Sequence, residues 1–145
     1  MTKTIKTSIS IQASASEVWA VLTDFEKYPM WNPFITSISG SVVEGKKITA
    51  RIIPEGSKGM TFKPVILVKK EKEELKWIGN LFFKGLFDGE HQFLISDNGN
   101  GSVLFQQNEK FTGLLVNLFP ESLYINSRRG FEAMNIALKA LAEER

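Results

Sequence analysis

Residues 91–109 read HQFLISDNGNGSVLFQQNE, two alternating runs on either side of Asn98-Gly99-Asn100-Gly101. Strand side chains alternate between faces, and Asn-Gly steps tolerate the left-handed backbone that a tight reversal demands. The segment is therefore a β-hairpin. With the turn at its centre, Asp97 pairs with Val103, Ile95 with Phe105, Phe93 with Gln107 and His91 with Glu109, all on one side. This register turns both apolar sets inward. It also sets an imidazole opposite a carboxylate on the inward face, where polar groups are costly unless they bond to each other or to a ligand.

Upstream, from Ile35 to Phe111, the same strand-and-turn pattern recurs. Glu44-Gly45, Glu55-Gly56 to Gly59, Lys72-Glu73 and Gly85 to Gly89 mark further reversals. The expectation is an antiparallel meander of about six strands. Ile5, Thr7, Ile9 and Ile11 alternate with Lys6, Ser8, Ser10 and Gln12, so a first strand joins them in a sheet of roughly seven. Between the first strand and the meander, Ser14-Ala15-Ser16-Glu17 is a capping box opening a helix with Val18, Trp19, Leu22 and Phe25 on its apolar face. Tyr28-Pro29 and Asn32-Pro33 bias the residues before them away from α geometry. Two short helical pieces with a break are expected.

Downstream the period changes. Leu123, Ser127, Phe131, Met134, Leu138 and Leu141 recur at spacings of three and four, the signature of a long amphipathic C-terminal helix. Pro120 separates it from Leu114 to Phe119, predicting a separate short helix or a kink there. The fold class is α+β: a curved antiparallel sheet with one long helix laid across its apolar face.

The 145 residues correspond to one domain, 1–145, and 43% hydrophobic with 23% charged residues is the balance of a globular chain. Eighteen basic against sixteen acidic residues, net +2, creates no one-signed field for nucleic acid or anionic membrane. Lys69, Lys70 and Lys72 are interleaved with Glu71, Glu73 and Glu74, a solvated face. The absence of cysteine removes disulfides and thiolate nucleophiles, and a single histidine removes any multi-histidine metal site. No metal or cofactor is expected. Met1 to Gln12 holds no continuous apolar stretch, so neither signal peptide nor integral membrane anchor is expected and the default location is cytoplasmic.

Ile9-x-Ile11 leading to Ala15-Ser16-Glu17-Val18-Trp19, then Leu22-Thr23-Asp24-Phe25-Glu26-Lys27-Tyr28-Pro29-x-Trp31-Asn32-Pro33-Phe34, resembles the START-related superfamily called SRPBCC. Gly89-Glu90-His91-x-Phe93, Glu109-x-Phe111-x-Gly113-Leu114-Leu115 and the helix Phe131-Glu132-x-Met134-Asn135-x-x-Leu138-x-x-Leu141 look like its polyketide cyclase or dehydrase-like branch. The resemblance covers essentially the whole chain. It implies a helix-grip fold with a ligand cavity under the long helix, in a group whose members differ in ligand and chemistry, so the fold alone leaves function open.

His91 and Glu109 are the candidate polar anchor: a structural brace, a hook for a ligand carbonyl or hydroxyl, or an acid/base pair. Trp31, Phe62, Trp77, Phe93, Phe105, Gln107, Phe111, Phe131 and Met134 complete the candidate lining of an apolar pocket, with Gly79 leaving space beside the Trp77 ring. Leu81-Phe82-Phe83-x-x-Leu86-Phe87 and Leu114-Leu115-Val116-x-Leu118-Phe119-Pro120 are too apolar for ordinary surface loops. They pack together as core or a homodimer contact, or form a portal. Three functions follow. The first is a non-catalytic binder of a lipid-like, polyketide-like or aromatic metabolite. The second is a cyclase or dehydratase using His91 and Glu109, and the third a protein-binding module using its outer surface.

Overall fold

The computed structural model describes residues 2–81 and 83–144. Met1 and Arg145 of the expected domain, and Phe82 of the expected portal segment, lie outside the described residues.

Strand β1 (Thr2–Ile11) leads into helix α1 (Ala15–Thr23) through the expected capping box. The Ser14 hydroxyl accepts from the Glu17 amide at 3.1 Å and the Glu17 carboxylate accepts from the Ser14 amide at 3.0 Å. Two amides that a helix start leaves unpaired are thereby satisfied. A three-residue 3-10 turn, Phe25–Lys27, separates α1 from the four-residue helix α2 (Tyr28–Trp31), whose first turn holds Pro29 where no N–H is required. The Asn32 side-chain oxygen then accepts from the amides of Phe34 and Ile35, both at 2.9 Å, and turns the chain into the meander.

Among the described residues the meander has seven strands: β2 (Ile35–Ser39), β3 (Thr49–Ile52), β4 (Met60–Phe62), β5 (Val65–Lys70), β6 (Glu74–Leu81), β7 (Phe87–Asp97) and β8 (Val103–Thr112). With β1 this makes eight, in two antiparallel sheets ordered β1-β8-β7-β6-β5 and β2-β3-β4, where one sheet of roughly seven was expected. The difference arises at Lys63-Pro64. Proline cannot donate to a ladder, and here the chain leaves one sheet and enters the other. The sheets stay joined because residues 45–48 run beside the start of β5: the Ile48 amide donates to Pro64 O at 2.9 Å and the Ile66 amide to Lys46 O at 3.0 Å. Register shifts in β2–β3 and β5–β6 add the local bend that lets such a sheet curl. The hairpin β7–β8 has the register read from its turn, His91 opposite Glu109 and Phe93 opposite Gln107.

Two expectations are corrected. The reversal placed at Gly85 to Gly89 is completed by residue 86, and Gly89 lies inside β7. Residues 114–119 are turns rather than a short helix, because the Leu114 and Leu115 amides donate to Gly85 O (3.2 Å) and Leu86 O (2.8 Å) and tie the segment to the β6–β7 connection. The two apolar segments therefore pack together.

Helix α3 (Glu121–Glu143) starts directly after Pro120 and spans about 35 Å at 1.5 Å per residue. It buries Tyr124, Ser127, Phe131, Met134, Asn135, Leu138 and Ala142, with Leu123 and Leu141 half-buried at the margin. It lies along β1, where Arg128 and Lys139 donate to the carbonyls of Lys6 (2.9 Å) and Ser10 (2.7 Å), and the Gln12 amide donates to Glu143 (2.7 Å). No helix among the described residues is long and apolar enough to cross a membrane.

Candidate functional site

Three neighbouring rows of paired residues on the inward face of the five-stranded sheet bear on the site. Thr7, Gln107, Phe93 and Leu75 form one; Ile5, Glu109, His91 and Trp77 the next; Lys3, Phe111, Gly89 and Gly79 the third. Two directly paired glycines in the third row remove the side chains that would otherwise fill the floor. The result is a pocket of about 140 Å³ between this floor, the β2-β3-β4 sheet and α3. The Trp77 and His91 rings stack at 5.5 Å along one side, and Phe131 of α3 meets the His91 ring edge-on at 4.9 Å.

The polar row is fully determined by its hydrogen bonds. The Thr7 hydroxyl donates to Gln107 O (2.7 Å), so its oxygen accepts from Asn135 Nδ2 (2.9 Å). Asn135 Oδ1 in turn accepts from Gln107 Nε2 (2.8 Å), which orients the Gln107 amide with Oε1 toward His91 Nε2 at 2.9 Å. An amide oxygen only accepts, so His91 carries its proton on Nε2. His91 Nδ1 lies 2.5 Å from Glu109 Oε1, which places a second proton between them. The other carboxyl oxygen, Oε2, faces the Cα of Gly89, where a Cβ would collide with it, and takes no hydrogen bond among the described residues.

Phe62, Trp77, His91, Glu109, Phe111 and Phe131 line this pocket, as does Gly79. The other candidates do not. Phe93 and Phe105 stack at 6.0 Å with no exposed surface, farther along the sheet and away from the glycine pair. The Gln107 amide is turned into the buried network beneath His91, and Met134 is enclosed in the core beyond Phe131. Trp31 belongs to α2 and packs edge-on against Tyr28 at 5.2 Å. Tyr28 itself is enclosed, with its hydroxyl donating to Leu22 O, and burial pushes its phenol far above the ordinary value.

Sequence reasoning missed the opposite wall, Phe34, Ala50, Ile52 and Met60, contributed by the second sheet and its approach. It also missed Leu123 and Ser127 on α3, and the role of Gly89. Leu81, Phe87 and Phe119, from the two apolar segments, close one end; the Phe87 and Phe119 rings are 4.5 Å apart. Phe83, Leu114 and Leu118 of the same segments stand exposed outside. Among the described residues no cluster of three or more His, Asp or Glu side chains is arranged to hold a metal.

No curated protein matches the chain in sequence. Solved structures match it over its length. The Zhui aromatase/cyclase from Streptomyces is 14% identical with a TM-score of 0.78, covering 100% of this chain and 96% of that one. A START superfamily protein from Mycobacterium smegmatis is 19% identical with a TM-score of 0.75, covering 97% of each chain. Norcoclaurine synthase from Thalictrum flavum is 17% identical with a TM-score of 0.71, covering 100% of this chain and 88% of that one. At these identities the likeness shows the helix-grip fold alone. A family model described as polyketide cyclase/dehydrase and lipid transport matches residues 2–143. The chain therefore belongs to the polyketide cyclase/dehydrase and lipid transport family.

Proposed function

We propose that the chain is a binding protein for a small hydrophobic molecule, held in the pocket over Gly79 and Gly89 with Glu109 as its polar anchor. The observation that supports this reading is one unpaired carboxyl oxygen facing an otherwise largely apolar pocket. Such a lining is what ligand sites use: apolar walls and a few placed polar atoms. Size limits the occupant. A volume of about 140 Å³ is near the ~150 Å³ cavity that accepts a benzene, and below the roughly 300 to 1,000 Å³ of pockets for drug-sized ligands. One ring or a short chain fits as the pocket stands. A polyketide-sized or lipid-sized molecule requires the rim built from residues 83–86 and 113–119 to move aside.

The test is native mass spectrometry of protein purified from its own source, with organic extraction and identification of whatever accompanies it. A stoichiometric apolar compound is expected. Empty protein that also gains no thermal stability from a panel of aromatics, lipids, quinones and polyketides would transfer the function to the outer surface, where Phe83, Leu114 and Leu118 are exposed. A second reading, cyclase or dehydratase chemistry, is favoured by the proton held between His91 and Glu109 at the pocket wall. Both ring nitrogens are engaged, so Glu109 would be the group that meets substrate and His91 the group that positions it. Loss of turnover in His91→Gln with ligand affinity retained supports that version; turnover unaffected by the change removes it.

A further inference from the structure

Resting on the binding reading above, which makes Glu109 the polar anchor, we infer that Gln107 is a positioning residue for that anchor: held by Asn135 of α3, it sets which His91 nitrogen carries a proton and pins the ring to which the Glu109 carboxyl group is tied. The chain of bonds starts from backbone carbonyls, which only accept. The Thr7 hydroxyl donates its one proton to Gln107 O (2.7 Å), so Asn135 turns Nδ2 to Thr7 (2.9 Å) and Oδ1 to Gln107 (2.8 Å). Phe131 O, 3.3 Å from Gln107 Nε2, requires a donor as well. Both neighbours therefore fix the same end of the Gln107 amide, and Oε1 is left to His91 Nε2 at 2.9 Å. The ring must then carry a proton on Nε2, in its neutral as in its charged form, and Nδ1 is the atom that meets Glu109 Oε1.

An imidazole bonded at one nitrogen can pivot, whereas one bonded at both cannot do so without breaking a buried bond. Gln107 supplies the second bond, so the ring, and with it the carboxyl group tied to Nδ1, keeps Oε2 in front of Gly89. Apolar side chains at 107 and 135 would join α3 to the sheet as well, and burying Gln107 and Asn135, at 0% and 2% exposure, is costly unless each bond is made. What apolar packing would not do is select a nitrogen. Gln107 acts without touching the ligand: it does not line the pocket, whereas His91, Glu109 and Trp77, with its indole N–H donor, do.

The test has two readouts. His91 is the single histidine, so long-range proton–nitrogen correlation spectra of the intact protein report both ring nitrogens directly. Wild type is expected to carry a directly bonded proton on Nε2. Gln107→Leu, checked for retained fold by its amide spectrum, is expected to carry one on Nδ1 and none on Nε2, since an Nε2 proton there would be buried without an acceptor. A wild-type ring protonated on Nδ1 alone, or an unchanged ring in Gln107→Leu, overturns the inference. The second readout is the affinity for p-cresol relative to p-xylene, followed by the amide shifts of Gly79 and Gly89; the phenol can donate to Glu109 and accept from Trp77. p-Cresol is expected to bind wild type about tenfold more tightly than p-xylene, with the advantage lost in Glu109→Leu and in Gln107→Leu. Asn135→Leu, which leaves Gln107 in place, is expected to move both readouts the same way by less; no movement in either overturns the hold assigned to Asn135. An advantage lost in Glu109→Leu but kept or enlarged in Gln107→Leu overturns the positioning role and leaves the Glu109 anchor standing. An advantage absent from wild type or surviving in Glu109→Leu, or failure of both probes to bind wild type, overturns the reading on which it rests.

Discussion

Two glycines show how a single missing side chain sets geometry. Gly130 sits mid-way along α3 against the Phe34 ring, which any Cβ would strike, and Phe34 in turn meets Phe131 edge-on at 5.3 Å. Gly130→Ala gains up to about 1 kcal/mol in helix propensity and loses about 1 to 3 kcal/mol by overpacking a filled core. Overpacking outweighs propensity, so the variant is expected to be less stable than wild type in urea denaturation; a stabilised variant would show that Phe34 moves away freely. Legibility at this scale is uneven. The His91–Glu109 pairing can be read because a symmetric Asn-Gly-Asn-Gly turn dictates register. The opposite holds for Gly89, which four residues after Gly85 looks like part of a turn, whereas its ordinary strand backbone makes it space for a carboxylate. Gln107 is on the predicted face, but its amide points away from the pocket because Asn135, 28 residues later on α3, accepts from it. No local pattern contains that partner.

Among elements, α3 and β1 are joined by polar ties as well as by apolar packing. Glu143 accepts from Lys139 at 2.7 Å and from the Gln12 amide, and these bonds, the lysine first, hold its carboxyl below the usual 4.5. A depressed carboxyl contributes stability above its unfolded pKa, and that contribution is lost as pH falls through the lower folded value. Wild type is therefore expected to have a higher Tm than Glu143→Gln at neutral pH, the gap closing in the acid range below 4.5. The gap is small and shrinks with salt, since the group is exposed. A difference that persists unchanged at acid pH would locate the effect in packing rather than charge. The long helix and the first strand were legible from their periods. The division of the meander was not: Lys63-Pro64 lies between apolar runs without the Gly or Asn that marks a reversal, and a proline there reads equally well as the end of one strand.

The whole molecule combines a dense core with a pocket at one end of it, and the same residue type contributes differently in each. Phe105 is enclosed on all sides, with Phe93 stacked against it. Phe131 is just as inaccessible yet has the pocket on one flank. Phe105→Ala is expected to cost about 3 to 5 kcal/mol, and Phe131→Ala measurably less, because dispersion contacts are missing on the pocket side before the ring is removed. Equal costs in denaturant titrations of the two variants would mean that the pocket is filled in solution by neighbouring side chains. The helix-grip architecture was readable from the change of period at the C-terminus and from the resemblance of the N-terminal third. The pocket's far wall was not, because Phe34, Ala50 and Met60 become neighbours of Trp77 and Glu109 only once two sheets face each other.

The ties along β1 also matter in solutions crowded with copies of this chain. An outermost strand ordinarily offers a row of vacant carbonyls and amides on which another extended segment can stack, the first step toward fibrils. Here the carbonyls of Lys6 and Ser10 are occupied by Arg128 and Lys139, and the amide of Gln12 by Glu143. The helix that covers the ligand pocket thus also covers part of that border, leaving less of it open to templated aggregation.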